Sequence, residues 1–132
     1  NRSKINYAKL NSRAKENFNA AKLAALMADY GYNLLPLKDD YLGADLIGLR
    51  EGEPPLMIQL KSRVTVDKKY LGKNLYMAFP NDGLFYVIAH DTLVEIFESR
   101  GHLDTDSWKV NGSYSNARPS KALLAELKPF EL

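Results

Sequence analysis

Gly43-Ala44-Asp45-Leu46-Ile47-Gly48-Leu49-Arg50, then Glu51-Gly52-Glu53-Pro54-Pro55, then Leu56-Met57-Ile58-Gln59-Leu60-Lys61-Ser62-Arg63 is the stretch that decides the fold. Residues 44 to 50 and 56 to 64 are short, apolar-rich runs, and each reads as a strand. The Gly and Pro residues between them read as a tight turn. Along the first strand Asp45, Ile47 and Leu49 share a face. Along the second, Met57, Gln59 and Lys61 share one face and Leu56, Ile58 and Leu60 the other. A hairpin centred near Glu53 sets Asp45 opposite Lys61 and Ile47 opposite Gln59. Asp45, Gln59 and Lys61 then meet at its open end. A slip of one residue would separate them, because side chains alternate faces.

Upstream, Ser12 is placed to cap a helix running to about Tyr30, with Gly31 suited to the C-terminal cap. On the helical wheel Lys15, Lys22 and Asp29 make a narrow polar strip. Phe18, Ala21 and Ala25 flank one side, and Leu23, Leu26, Met27 and Tyr30 lie further round, so most of the helix is expected to be covered. Glu16 falls on the Leu/Met/Tyr side. Residues 1 to 11 read as a loosely ordered basic arm, and 12 to 132 as a single domain. Tyr32 to Leu37 is a short apolar run, stopped by Pro36 and a Lys38-Asp39-Asp40 turn.

Downstream, residues 67 to 74 read as a basic loop. Leu75 to Phe79 and Leu84 to Ala89 read as strands around a Pro80-Asn81-Asp82-Gly83 turn. Asp91 is placed to cap a helix from Thr92 to about Arg100. Residues 101 to 119 read as polar and irregular, anchored by Trp108 and Tyr114, and Ser120 caps a last helix to about Leu127. The order predicts an α/β (α+β) domain: a central mixed β-sheet flanked by helices.

The chain has 132 residues, 45% of them apolar, and a net charge of +2. That is one domain's worth of chain, with enough apolar surface for a core. There is no cysteine, so disulfide frameworks and thiolate metal sites are excluded and a reducing compartment is expected. No apolar run approaches a membrane span, and no signal-peptide pattern opens the chain, so a cytoplasmic location is expected. The absent initial Met suggests a start further upstream. Charge is uneven: Arg2, Lys4, Lys9, Arg13, Lys15 and Lys22 against Glu16, and Arg63, Lys68, Lys69 and Lys73 against Asp67. Arg63, Lys68, Lys69 and Lys73, with Tyr70, are candidate phosphate and sugar contacts, because clustered cations release the counterions of DNA. A solubilising loop is the plainer reading. His90 and His102 stand alone, with no zinc-pair spacing. Neither a nucleophile elbow nor a Gly-rich phosphate loop is present.

Asp45 offers a full negative charge, Gln59 a neutral amide oxygen and Leu60 a backbone carbonyl. Hard cations take such oxygen ligands, and a hard cation is what phosphodiester hydrolysis uses to spread charge and acidify water. Lys61 beside them is placed to orient water, deprotonate it, or offset the charge on phosphorus.

An Asp, roughly a dozen residues spanning a hairpin, and then (Asp/Glu)-x-Lys on an apolar strand resembles the PD-(D/E)xK nuclease superfamily, whose core is restriction-endonuclease-like. Gly43-Ala44-Asp45 stands for its Pro-Asp element and Gln59-Leu60-Lys61 for its (D/E)xK element, over roughly residues 12 to 100. The resemblance implies a nuclease, an endonuclease in particular, that hydrolyses DNA with Mg²⁺ or alternatively Mn²⁺. It implies Asp45, Gln59, Leu60 and Glu16, on the first helix, around the metal, and a homodimer where both strands are cut. Ala44 departs from the family's Pro. Gln59 departs from its acid and removes one charge, so the site would lean on Glu16, or on Asp40 or Asp67. Two other readings stay open: a catalytically inactive nucleic-acid-binding module on the nuclease fold, and a protein-interaction domain.

Overall fold

The computed structural model describes all 132 residues. Helix α1 spans Ser12–Ala28, and strand β1 spans Asn33–Tyr41. Strands β2 (Ala44–Leu49), β3 (Leu56–Leu60) and β4 (Val64–Asp67) follow. Then come β5 (Leu75–Asn81), β6 (Leu84–Ala89), α2 (His90–Ser99) and α3 (Asp106–Lys109). Strand β7 (Ser113–Asn116) and helix α4 (Lys121–Leu127) complete the order. A five-stranded sheet runs β1-β2-β3-β5-β6 and a two-stranded sheet joins β4 to β7. Only β3 and β5 pair in parallel; the other ladders are antiparallel. This is a mixed α+β fold, as the order of elements predicted. No helix is long and apolar enough to cross a membrane.

The central strand β5 buries Met77, Ala78 and Phe79 in succession, the pattern of a strand covered on both faces. One face carries Leu23 and Met27 of α1 against Leu46, Ile58, Ala78 and Phe85. The other carries α2, α4 and β4 side chains against Met77, Phe79, Tyr86 and Ile88.

Several local expectations are corrected. Asn11, not Ser12, caps α1: its Oδ1 accepts from Ala14 N at 2.8 Å. The helix buries one stripe, Asn19, Leu23 and Met27, and leaves Ala21 and Ala25 exposed. Alanine carries little apolar area, so exposing it costs little. The basic arm is partly anchored, with a 3-10 turn at Tyr7–Lys9 and the Tyr7 hydroxyl accepting from Asn19 Nδ2 at 3.0 Å. Strand β1 continues through Pro36, Asp39 and Asp40 rather than stopping. It is an edge strand with a register irregularity after Pro36, which is where a sheet tolerates the missing N–H.

The strand expected over 56 to 64 ends at Leu60, and Val64 opens a further strand, not foreseen from the sequence, in the other sheet. Lys61 N still donates to Ala78 O at 2.9 Å, and the chain then leaves the main sheet at Ser62 and Arg63. Residues 101 to 119 hold α3 and β7. The four residues of β7 lack apolar alternation, and their pairing with Val64–Asp67 is what makes them a strand. Asp91 does not cap α2, which begins at His90. Its carboxylate accepts from Gly72 N at 3.0 Å and sits 3.0 Å from His90 Nδ1. Ser120 does cap α4, accepting from Leu123 N.

Candidate active site

The hairpin pairs Leu46 with Ile58, Ile47 with Met57 and Gly48 with Leu56. That is two residues away from the register expected with Glu53 at the centre. Asp45 is therefore level with Gln59 rather than with Lys61. A shift of two keeps every side chain on its own face, so the grouping survives where a shift of one would have destroyed it. Asp45 Oδ1 accepts from Leu60 N at 3.2 Å, which ties the start of β2 to the end of β3. Just upstream, Gly43 has φ +90°, and a Cβ there would meet the Tyr70 ring at 2.8 Å. The Leu42-Gly43 turn can pass this close to Tyr70 only without a side chain, and it delivers Asp45 into the strand.

A cleft of about 460 Å³ opens at this end of the sheet, bordered by Lys15, Glu16, Asp45, Gln59, Leu60 and Lys61. The α1 contributors obey helical geometry: Ser12, Lys15, Glu16 and Asn19 sit at i, i+3, i+4 and i+7. They are the N-terminal continuation of the buried Leu23–Met27 stripe. Burial pushes the Asp45 carboxyl up to about 6, and the nearby Asp40 charge pushes the same way, against the Leu60 N–H and Lys61. Gln59 is 8% exposed and its Oε1 is fully buried with no hydrogen-bond partner. Such an orphan acceptor is costly.

No three His, Cys, Asp or Glu side chains gather closely enough to hold a metal by themselves. The cleft instead offers two carboxylates, Asp45 and Glu16, and the Gln59 amide oxygen. An all-oxygen set suits a hard cation, not zinc. A cation there would satisfy the orphan Gln59 oxygen and offset the desolvated Asp45 charge, so the residues fit one.

Asp40 borders a different surface hollow, with Lys69 and Lys73, and reaches Asp45 only through its charge. Asp67 lies elsewhere, accepting from Lys69 N at 2.9 Å. The basic segment does not form one surface. Lys68 lies over the Trp108 ring, 5.5 Å from its centroid, on the side of α3. Lys69 lies over Tyr70 and near Asp67, and Arg63 is exposed at the bend after Lys61. Tyr70 is corrected as a nucleic-acid contact: it is 5% exposed, packed in the core against His90 and Gly43. The sequence reading missed Tyr7, Lys15 and Asn19 in the cleft. For Lys15 and Asn19 the one cue was helical spacing ahead of Leu23 and Met27; Tyr7, outside the helix, offered none.

Fold and cleft together define a mixed α+β protein with a carboxylate–amide–lysine cleft at the end of its sheet. No family model and no curated protein matches the chain. Among solved structures it is similar to a bacterial homing endonuclease, I-Ssp6803I, at 18% sequence identity and a TM-score of 0.46, over 92% of this chain and 95% of that one.

Proposed function

We propose that this chain is a metal-dependent nuclease that hydrolyses DNA phosphodiester bonds, as an endonuclease of the PD-(D/E)xK type. The observation that supports it best is the meeting of a desolvated carboxylate, an orphaned buried amide oxygen, a second carboxylate and a lysine in one cleft. Asp45, Gln59, Glu16 and the Leu60 carbonyl would hold Mg²⁺ or Mn²⁺. Such a cation supplies Lewis acidity and a more acidic bound water. Lys61, just past β3 and still bonded through its N–H to Ala78 of β5, orients the attacking water or offsets charge on the phosphoryl oxygens. Lys15, on the opposite wall, contacts a neighbouring phosphate. In the reaction a water oxygen bonds to phosphorus, one ester P–O bond breaks, and the leaving oxygen takes up a proton. A cut in both strands of a duplex calls for two such sites, hence a homodimer.

The test is cleavage of plasmid and oligonucleotide substrates with Mg²⁺ or Mn²⁺, beside EDTA and Lys61→Ala. We expect metal-dependent cutting that falls at least on the order of a hundredfold in Lys61→Ala. Salt-sensitive DNA binding without cutting of any substrate would instead identify a disarmed binding module. Neither cutting nor binding would leave a protein-interaction domain.

A further inference from the structure

Beside the cleft lies a second hollow of about 450 Å³, against the N-terminal half of α1. Tyr7, Asn19 and Ser62 border both spaces, so the two are neighbours that share a wall. Their chemistry differs. The cleft is charged, whereas the hollow is walled by Phe18, Phe85 and the Tyr7 ring. The Tyr7 and Phe18 ring centroids are 5.2 Å apart, tilted by 52°. Lys15 Nζ stands 5.4 Å from the Tyr7 centroid, and Lys22 Nζ stands 5.4 Å from that of Phe18. Asn19 is 5% exposed, and one N–H of its amide is given to the Tyr7 hydroxyl. Its carbonyl oxygen is left to accept, and the Tyr7 hydroxyl is left to donate.

We propose that this hollow receives one unpaired nucleobase of the strand whose backbone lies in the adjacent cleft. The inference rests on the nuclease reading for the cleft and adds the substrate class: a strand that presents an unstacked nucleotide next to the cut. Its volume is within the roughly 300–1,000 Å³ of small-ligand sites. Aromatic faces stack on any base, and the Asn19 oxygen and Tyr7 hydroxyl offer an acceptor and a donor to its edge. Lys15 and Lys22 occupy the ring faces of the free protein. A base that replaces them over the rings leaves both ammonium groups to the flanking phosphates. A base paired within a duplex cannot enter, because its ring faces and its pairing edge are already engaged.

The experiment is binding and cleavage of three labelled oligonucleotides: a perfect duplex, the same duplex with one unpaired 2-aminopurine, and that duplex with an abasic site in its place. Binding is read in EDTA by anisotropy and by quenching of 2-aminopurine; cleavage is read separately in Mg²⁺. We expect the unpaired base to tighten binding roughly tenfold over both controls, with quenched fluorescence. Phe18→Leu, which keeps the bulk and removes the π face, should erase the difference. Tyr7→Leu is the second variant, and the abasic control needs no variant at all. Equal binding of all three, with no quenching, overturns the base site; Mg²⁺-dependent cutting in that case would leave the nuclease reading standing. Base-dependent binding without any cutting would sustain the base site and sink the nuclease reading.

Discussion

Fifteen buried side chains fill the face of the sheet under α2 and α4, and six fill the face under α1. The large cluster joins four strands and two helices, with Phe97, Leu93, Leu123 and Leu127 fully covered. The small one rests on Leu23 and Met27. Unsatisfied buried polar atoms occur beside the large cluster too, at Arg100 Nε and at His102 Nδ1, whose ring lies against Phe97. On the large side His90 is satisfied, accepting from Asp67 N at 3.1 Å and adjoining Asp91. At the end of the sheet, the cleft keeps an orphaned Gln59 oxygen and a carboxyl whose ionisation is disfavoured. The lesson is that the thick core supplies stability that offsets unsatisfied polar atoms in more than one place, and that only the cleft adds a desolvated carboxyl to one of them.

Truncating both sides sharpens this contrast most strongly. Phe97→Ala should cost about 3–5 kcal/mol, and Leu23→Ala about 2–3 kcal/mol, since α1 lies over fewer neighbours and can settle into the gap. Urea unfolding measures both, and a larger loss for Leu23 would reverse the ranking of the two faces. A smaller effect, of opposite sign, concerns Asp45. Its folded pKa of about 6 lies above the ordinary 3.8, so the folded chain holds the proton more tightly. Asp45 thus costs nothing below about pH 4, its cost grows as pH rises through 6, and the full cost remains above. Asp45→Asn keeps an oxygen for the Leu60 N–H and removes the charge. In EDTA at pH 8 it should raise stability by about 1 kcal/mol, a figure trimmed for the carboxyl's partial exposure. The gain should vanish near pH 4. Added Mg²⁺ should then stabilise the native chain and not the variant; the same response in both would remove Asp45 from the metal set. The smallest effect expected is Asn11→Ala, about 0.5 kcal/mol from the lost cap at the exposed end of α1. It should lower stability without touching the unpaired-base preference, because the cap lies outside the hollow.

Much of the site was legible before the fold was known. Asp45, Gln59 and Lys61 are ordered by alternation along two strands, and alternation survives a register error of two. Glu16 was reachable because a helix has one period and the Leu23–Met27 stripe fixes its phase. The polar residues Lys15 and Asn19 on that same face were passed over because polar side chains carry no signature of facing a cleft. Tyr70 was misread as a surface contact for a related reason. An aromatic in a lysine-rich loop looks exposed until the turn at Gly43 is seen packed against its ring.

The sequence by itself determined the local and periodic features: strands β2, β3, β5 and β6, helices α1, α2 and α4, the turn at Asp82-Gly83, the Ser120 cap and the parity that groups the three candidate residues. These depend on neighbours a few positions away, and on a binary pattern that any register of the right parity preserves. Only the tertiary structure decided the rest. It split β3 from β4, turned Ser113–Asn116 into a strand, broke the basic segment into separate surfaces, and set the aromatic hollow beside the cleft. Each of these results from contacts between residues far apart in the chain, where burial and pairing outweigh the weak preference of a short segment.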